Sequence, residues 1–353
     1  MASLRDIAKN AGVSVATVSR TLNNSPDVSE KLRDRVLREA KRAGYAKSEA
    51  SKRLGRIGLG YPGEPIKPEL GGFDASVMSG VMHGVMSHGF DFGVVNLLAD
   101  KRSSESYTQF FRRKGLDGVV LRTFTGRRHI CEEIASEGFP AVVVGDRFED
   151  ERVNYICFDS ELETAAAVDH LVHLGHERIG LCVHAVPDTD HEDRRRAFEH
   201  VLASKGLEVE RDLVVEVIAD INGGASAINR FMSLSTPPTA IVFTDPLSTV
   251  GGLRRALELN IRVPEELSIV GFDDGELRRY THPIYTAVCG DAADLGRAAA
   301  AWLARRIDRG PSVEPMRVRR NAYLEVNSTT AATPAERIRV SPDGRRLGPA
   351  DRS

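Results

Sequence analysis

The sequence has no long apolar runs and few cysteine and aromatic residues, and each shortage excludes a class of protein. No apolar run approaches the roughly 18 residues of a membrane-spanning helix, and no secretory signal precedes Leu4. We therefore expect a cytoplasmic protein. Its four cysteines form no CxxC pair, which predicts reduced, buried thiols. They are Cys131, Cys157, Cys182 and Cys289.

The length and the charge distribution indicate several parts with different partners. At 353 residues the chain suits two or three domains with a substantial core. The net charge of −2 combines two opposite regions, since residues 1–56 carry 13 Lys and Arg against 6 Asp and Glu. This basic head, with a net charge of +7, suits phosphate groups, whereas the remainder carries −9.

Residues 4–23, LRDIAKNAGVSVATVSRTLN, predict a helix-turn-helix. Apolar residues recur at helical spacing on both sides of Gly12. Gly12 is expected to end the first helix in the left-handed conformation, and Ser14 to cap the second. The alternative is a pair of ordinary short amphipathic helices around a glycine.

The second helix of this motif begins with short residues that suit a DNA major groove. Val15, Ala16 and Arg20 are placed early and outward, where a recognition helix meets base edges. Arg20 can donate two parallel hydrogen bonds to guanine, which typically discriminate by about 1 to 3 kcal/mol. Thr17 and Ser19 suit phosphates or bases. The alternative for Arg20 is a solvated surface charge.

Residues 29–45 predict a third helix that Ser29 caps and Gly44 ends. Its predicted apolar face consists of Leu32, Val36, Leu37, Ala40 and Tyr45. Its basic face consists of Lys31, Arg35, Arg38, Lys41 and Arg42, a solvated surface from which some side chains can reach phosphate. Residues 46–56 form a polar, basic connector.

From residue 57 onward, short apolar runs alternate with amphipathic helices, which predicts an α/β body with two doubly wound lobes of parallel sheet. The predicted strands are 57–61, 90–96, 118–123, 141–145, 179–183, 214–218, 240–244 and 267–272. Residues 329–353 are rich in Arg, Pro, Gly and Asp, and lack apolar periodicity. They predict a mobile tail.

Taken together, these segments resemble the lactose-repressor (LacI/GalR) family of bacterial transcription regulators. The resemblance rests on DIAKNAGVSVATVSRTLN and VSEKLRDRVLREAKRAGY in the head, and on TAAAVDHLVHLGHERIGL and SIVGFDD in the body. It implies a homodimeric repressor on a pseudo-palindromic operator, with a periplasmic-binding-protein-like body. A small effector between the lobes would bias their closure. Activation instead of repression stays open, as does a tetramer, for which the tail shows no leucine heptad.

The resemblance also implies a domain organisation. Residues 1–45 would form the helix-turn-helix domain and 46–56 the hinge. Residues 57–328 would form the effector-binding and dimerisation domain, followed by the tail at 329–353. Within the body, the chain would cross between lobes near 157, 287 and 317.

The resemblance assigns base reading to Val15, Ala16 and Arg20. The implied backbone contacts are Ser3, Thr17, Ser19, Asn23 and Tyr45. Leu54 falls where the family's hinge helix presents a leucine wedge that kinks the DNA from the minor groove. The hinge departs from the family pattern and leaves only two residues between Leu54 and the first strand. Packing of Leu54 against the body therefore stays open as the alternative.

Four charged residues that follow strands or open a helix predict the effector site, because ligands bind at the carboxyl edge of a parallel sheet. They are Asp146, Arg194, Asp245 and Asp273. In the resembling family these positions match ligand contacts, and the alternative for each is a loop cap or a surface ion pair. Thr244 stands where the family commonly has Asn.

Phe73 and Phe158 lie in or near the cleft loops and are further candidates for the effector site. The expected effector is a sugar or related polyol, the family's commonest class, with a nucleobase or an organic acid as alternatives.

We expect no metal, no cofactor and no catalytic activity. His170, His173 and His176 match a structural pattern of the family, although the loop at 184–193 is rich in metal-ligand types. Residues 58–63 formally fit GxGxxG, but the prolines that follow oppose the required helix. Two rival functions are a solute-binding protein and a two-lobed sugar-acting enzyme. The basic head and the missing signal peptide oppose the first.

Overall fold

The computed structural model describes residues 4–22, 28–43, 55–63, 72–123, 125–185, 189–341 and 344–347. The chain divides into two compact units, Met1–Leu54 and Gly55–Ser353. No helix in these ranges is both long and apolar enough to cross a membrane.

The first unit consists of three helices around a small core. The helices are α1 (Leu4–Ala11), α2 (Val15–Leu22) and α3 (Glu30–Arg42). Ile7, Val18 and Val36 are fully buried, one from each helix. Leu37 is 44% exposed, so its assignment to the apolar face was wrong. Each residue of a helix turns by about 100°, and Leu37 therefore points away from the direction of Val36.

The second unit contains two six-stranded sheets, each forming the centre of one lobe. The sheet of lobe 1 is entirely parallel, in the order β11-β5-β4-β3-β1-β2. Its strands are β1 (Arg56–Tyr61), β2 (Asp91–Asn96), β3 (Gly118–Leu121), β4 (Ala141–Val144), β5 (Tyr155–Phe158) and β11 (Arg317–Arg320). Its helices are α4 (Gly72–Ser87), α5 (Tyr107–Arg113), α6 (Arg128–Ser136) and α11 (Ala292–Arg309).

Lobe 2 repeats this arrangement with one antiparallel edge strand, in the order β12-β10-β9-β8-β6-β7. Its strands are β6 (Ile179–His184), β7 (Val214–Val217), β8 (Ala240–Phe243), β9 (Ser268–Asp273), β10 (Thr286–Cys289) and β12 (Tyr323–Glu325). Its helices are α7 (Ser160–His173), α8 (Thr189–Ser204), α9 (Ile221–Met232) and α10 (Pro246–Glu258).

Helices cover both faces of each sheet, which explains why the strands are apolar runs rather than alternating patterns. The predicted fold class, a helical head and a two-lobed α/β body, is confirmed. All eight predicted strands are present. Four short strands of the two six-stranded sheets were missed, namely β5, β10, β11 and β12, each only three or four residues long.

Three connections carry the chain between the lobes. The first leads from β5 in lobe 1 to α7 in lobe 2, the second from β10 back to α11 in lobe 1, and the third from β11 to β12 in lobe 2. The carboxyl ends of the parallel strands in both sheets therefore lead toward the cleft between the lobes. All four cysteines are buried, and none forms a disulfide bond, as expected.

The described residues after 328, namely 329–341 and 344–347, pack on lobe 2 and are called here the C-terminal strap, so the expectation of a mobile tail was wrong for them. Thr329 is fully buried and donates to the Ile269 carbonyl at 2.6 Å. A hairpin of β13 (Arg339–Val340) and β14 (Arg346–Leu347) places Val340, only 1% exposed, in the core beside α9 and α10. The apolar contacts of Val340 and the partly buried Ile338 are too few to produce a periodic pattern in the sequence.

Truncation of the C-terminal strap after Glu336 should destabilise the chain. It removes the buried Val340 side chain and the ion pair between Arg346 and Glu266, whose nitrogen and oxygen lie 2.7 Å apart. We expect the free energy of unfolding to fall by about 2 kcal/mol or more, measured by urea denaturation. A chain that ends at Leu347 keeps the hairpin and is the control. Equal stability of the two truncated chains would contradict this role.

Candidate nucleic-acid interface and ligand cleft

The turn between α1 and α2 has the geometry that its sequence predicts. Gly12 has a positive φ of 62°, the left-handed conformation that favours glycine. The Ser14 hydroxyl accepts a hydrogen bond from the backbone N–H of Thr17 at 3.1 Å, which caps α2. Both predictions are confirmed, and the turn fixes which face of α2 is exposed.

The base-reading candidates lie on that exposed face. Val15 is 42% exposed, and Ala16 and Arg20 are exposed too. Ala16 and Arg20 are four residues apart and therefore share one side of the helix. Thr17 and Ser19 are half-buried at its margin. The other predicted DNA contacts lie outside the described residues, namely Ser3, Asn23, Tyr45 and Leu54.

Helix α3 adds positive charge to the same unit. Ser29 occupies the N-cap position, but its side chain makes no capping bond, and its carbonyl accepts from the N–H of Arg33 at 2.9 Å instead. The side-chain cap predicted for Ser29 is thus replaced by backbone bonding. The five predicted basic side chains are all exposed, namely Lys31, Arg35, Arg38, Lys41 and Arg42.

In the second unit, Asp146 joins the two lobes across the cleft. It follows β4, is fully buried, and accepts from the Arg128 guanidinium at 2.7 Å. Its Oδ1 also accepts from the hydroxyl of Thr189, the first residue of α8 in lobe 2. The predicted site residue is therefore located at the contact between the lobes.

A second polar contact crosses the cleft beside Asp146. Arg147 of lobe 1 donates to Asp193 on α8 at 2.9 Å, and Asp193 is also paired with Arg196 on its own helix. This ion pair could not be predicted from the sequence, because two charged residues 46 positions apart carry no local signal of their contact.

Arg194 is buried in lobe 2 with part of its hydrogen-bonding capacity unused. It is 5% exposed, donates from Nη1 to the Thr244 carbonyl at 2.7 Å, and its guanidinium carbon lies 4.0 Å from the centroid of the Phe272 ring. Its Nε and the Thr244 hydroxyl are buried and have no partner in the described part of the chain. Both groups are therefore available to a ligand.

Asp245 and Asp273 have structural contacts. Asp245 caps α10 by accepting from the Ser248 N–H at 3.0 Å, and burial raises the pKa of its carboxyl group. Asp273 accepts four hydrogen bonds, from the backbone of Gly275, Leu277 and Arg278 and from the Arg278 guanidinium at 2.7 Å. Both of its oxygens are thus used to anchor the turn after β9.

The adjacent Asp274, which was not among the predicted site residues, is better placed as a ligand contact. It is 5% exposed, and its carboxylate makes no hydrogen bond among the described residues. Burial raises its pKa to about 6, and the nearby Arg194 partly offsets this effect. Two consecutive aspartates look alike in a sequence, and only their side-chain directions distinguish them.

The two predicted phenylalanines lie together in lobe 1. The Phe73 and Phe158 ring centroids are 6.5 Å apart in an edge-to-face arrangement. The Arg122 guanidinium carbon lies 4.7 Å from the centroid of the Phe73 ring, and its Nε donates to Asp74 at 2.6 Å. Phe158 is 5% exposed, so Phe73 is the more accessible of the two rings.

Two of the three histidines considered as metal ligands make other contacts, and the third, His173, is exposed. His176 is fully buried, and its ring nitrogens lie 2.8 Å from the Thr239 hydroxyl and 3.1 Å from the Ser268 hydroxyl. His170 lies 3.0 Å from the Thr330 hydroxyl of the C-terminal strap. Among the described residues, no group of three or more His, Cys, Asp and Glu has the geometry of a metal site.

Two family descriptions match separate parts of the chain. Residues 3–48 match the bacterial regulatory proteins of the lacI family, and residues 168–330 match a periplasmic binding protein-like domain.

Similar proteins include regulators that align over nearly the whole chain. The regulator MalR of Streptomyces coelicolor is 30% identical over 349 residues, covering 95% of this chain and 98% of MalR. The ribose operon repressor of Haemophilus influenzae is 28% identical, covering 87% and 92%. The structure of the transcriptional regulator CelR with cellobiose has a TM-score of 0.65 at 25% identity, covering 93% and 100%.

Replacement of the buried carboxylate in Asp274→Asn should stabilise the ligand-free chain at pH 7.5. The folded-state pKa of about 6 lies above the ordinary value of 3.8, so the ionised form is less favourable in the folded state. The wild type therefore loses stability as the pH rises from about 4 to 7. We expect the variant to gain on the order of 2 kcal/mol at pH 7.5, and the gain to shrink toward pH 4.

Asp273→Asn is the matched control for this experiment, because its carboxylate is fully hydrogen-bonded and paired with Arg278. It should lower stability at pH 7.5. Urea denaturation from pH 4 to 7.5 measures both variants, and destabilisation by Asp274→Asn at pH 7.5 would contradict the assignment of Asp274.

Proposed function

Because the chain belongs to the LacI family of bacterial regulatory proteins, we propose that it is a transcriptional repressor that binds operator DNA as a homodimer. The observation that carries this proposal is the capped turn that presents Ala16 and Arg20 on one exposed face of α2. The N-terminal half of a helix exposed in this way fits into the major groove of DNA. We also propose a cytoplasmic location, where the chain has access to DNA.

Sugars or related polyols are the proposed effector class. The Nε of Arg194 is an unpaired donor, and the Asp274 carboxylate is an acceptor without a donor among the described residues. A sugar hydroxyl can donate to the carboxylate and accept from the guanidinium. Since an unsatisfied buried polar group costs about 1 to 3 kcal/mol, a ligand that pairs these groups recovers that free energy.

The charge of lobe 2 favours this class over an organic acid. Asp274 and Asp245 are both buried beside the unpaired groups, and an anionic ligand would be repelled by their carboxylates. CelR was solved with cellobiose, and the Haemophilus relative is named for the ribose operon. A sugar is therefore consistent with the relatives and with the local electrostatics.

Control of DNA binding would act through the contacts between the lobes. Asp146 with Thr189, and Arg147 with Asp193, are polar pairs that can exchange with water when the lobes separate. A ligand that contacts both lobes shifts the equilibrium only by its difference in affinity for the two arrangements. Turnover of a bound sugar without any affinity for DNA would instead favour the two-lobed enzyme.

An exposed apolar surface on lobe 1 is the proposed interface with a second copy of the chain. It consists of Met82 and Met86 on α4, Val94 on β2, and Leu98, which are 38% to 65% exposed. A cluster of this kind is unusual on a protein that stays monomeric. Dimerisation would also supply the second recognition helix that a pseudo-palindromic operator requires.

Selection of random duplex DNA by the full-length chain, followed by sequencing, tests the proposed function. The wild type should enrich an inverted repeat. Arg20→Met should lose about tenfold or more in affinity and relax the base preference at one position of each half-site. Arg38→Met, on the exposed face of α3, is the control and should leave the base preference unchanged. Unchanged selection by Arg20→Met would exclude its role in base reading.

Charged substitutions in the exposed surface should prevent dimerisation. Met86→Glu and Val94→Glu would bring a carboxylate into the proposed interface, where its desolvation is unfavourable. We expect both variants to sediment as monomers at concentrations where the wild type is a dimer. Leu162→Glu, at a site on α7 that is 62% exposed, is the matched control and should stay dimeric. Dimers in all three variants would show that the interface lies elsewhere.

A further inference from the structure

Tyr61 is the last residue of β1 and has a buried hydroxyl without a partner. The side chain is 7% exposed, and its Oη finds no hydrogen-bond partner in the described part of the chain. Ile57, Leu59 and Tyr61 alternate along β1 and contribute to one core cluster, together with residues of α4 and α11. The phenol therefore points to the side of the sheet on which α4 begins.

Charged side chains lie near the phenol of Tyr61 at the start of α4, where a Cβ atom on Gly72 would lie 4.0 Å from the Cβ of Pro246 in lobe 2. Asp74 on the first turn of α4 accepts from Arg122, which follows β3, at 2.6 Å. Burial and the Asp74 carboxylate raise the pKa of Tyr61, while Arg122 opposes this shift. The phenol stays protonated at physiological pH and can act as a hydrogen-bond donor.

A buried hydroxyl without a partner is uncommon in a folded protein. More than about 90% of buried polar groups are paired. Tyr285 in lobe 2 illustrates the usual case, since it is fully buried and donates to the Phe272 carbonyl at 3.3 Å. The Asp74 carboxylate near Tyr61 is engaged by Arg122. None of the described residues of lobe 1 therefore accounts for the hydroxyl of Tyr61.

We propose that Tyr61 is a specificity-determining residue of the effector site, whose hydroxyl donates to an oxygen atom of a polyhydroxy ligand. This inference rests on the proposed function. Tyr61 belongs to lobe 1, whereas Arg194 and Asp274 belong to lobe 2. A ligand that pairs groups on both lobes binds their closed arrangement more tightly than the open one, and Tyr61 thereby contributes to closure as well as to recognition.

The test compares Tyr61→Phe with Tyr285→Phe in the full-length chain. Thermal unfolding is first measured without ligand. Tyr61→Phe removes an unpaired hydroxyl and should unfold at the same temperature as the wild type or above it. Tyr285→Phe removes a hydrogen-bonded hydroxyl and should unfold at a lower temperature. A clear decrease for Tyr61→Phe would mean that the hydroxyl has a structural partner, and would overturn the proposal.

Ligand binding is then measured by calorimetric titration with a panel of sugars that includes ribose and cellobiose. For a sugar that binds the wild type, Tyr61→Phe should weaken affinity about three- to tenfold, the usual effect of one hydrogen bond. The monodeoxy analogue that lacks the contacted hydroxyl should bind the wild type and Tyr61→Phe equally. Such equality is not expected if the substitution only disturbs the fold.

The outcomes separate the two proposals. If a sugar binds the wild type and Tyr61→Phe with the same affinity, the role of Tyr61 is overturned, and the proposed function stays intact. Failure of every sugar in the panel to bind the wild type contradicts the proposed effector class, and the inference about Tyr61 falls with it.

Discussion

The requirement that buried polar groups be paired determines how the α/β body can work. At the carboxyl ends of β1 and β8, the hydroxyls of Tyr61 and Thr244 are buried without a partner among the described residues, and so is the Nε of Arg194 on α8. Each of these groups lowers the free energy of unfolding by about 1 to 3 kcal/mol. The apolar clusters on both faces of each sheet must outweigh this loss. Unpaired buried groups are typical of functional sites, because a bound ligand can form the missing hydrogen bonds.

The connection between the lobes makes such a site suitable for control. Three backbone crossings keep the lobes attached, while side-chain contacts across the cleft include the hydrogen bond from Thr189 to Asp146 and the ion pair of Arg147 with Asp193. When the lobes separate, water can pair with these groups, so the contacts can open without leaving a buried polar group unpaired. A ligand that satisfies groups on both walls can therefore supply a free-energy difference large enough to favour closure.

Local features of the structure could be predicted from the sequence, whereas long-range features could not. Gly12 and Ser14 act on residues within three positions, so their turn and cap were predicted correctly. Eight of the strands were predicted because burial on both faces makes them apolar runs, whereas the parallel strands β5, β10 and β11, only four residues long, were missed. The C-terminal strap was missed because its fixation depends on distant partners such as Ile269. The difference between Asp273 and Asp274 likewise depends on side-chain direction.

Control of a repressor by a sugar requires that the ligand cleft and the DNA-binding head are energetically coupled. Two affinities of the full-length chain measure this coupling. One is the affinity for the selected operator with and without the sugar that binds most tightly, and the other is the affinity for that sugar with and without operator. We expect each ligand to change the affinity for the other by the same factor, about 5- to 150-fold. Independent binding of sugar and operator would show that the cleft does not control the DNA-binding head.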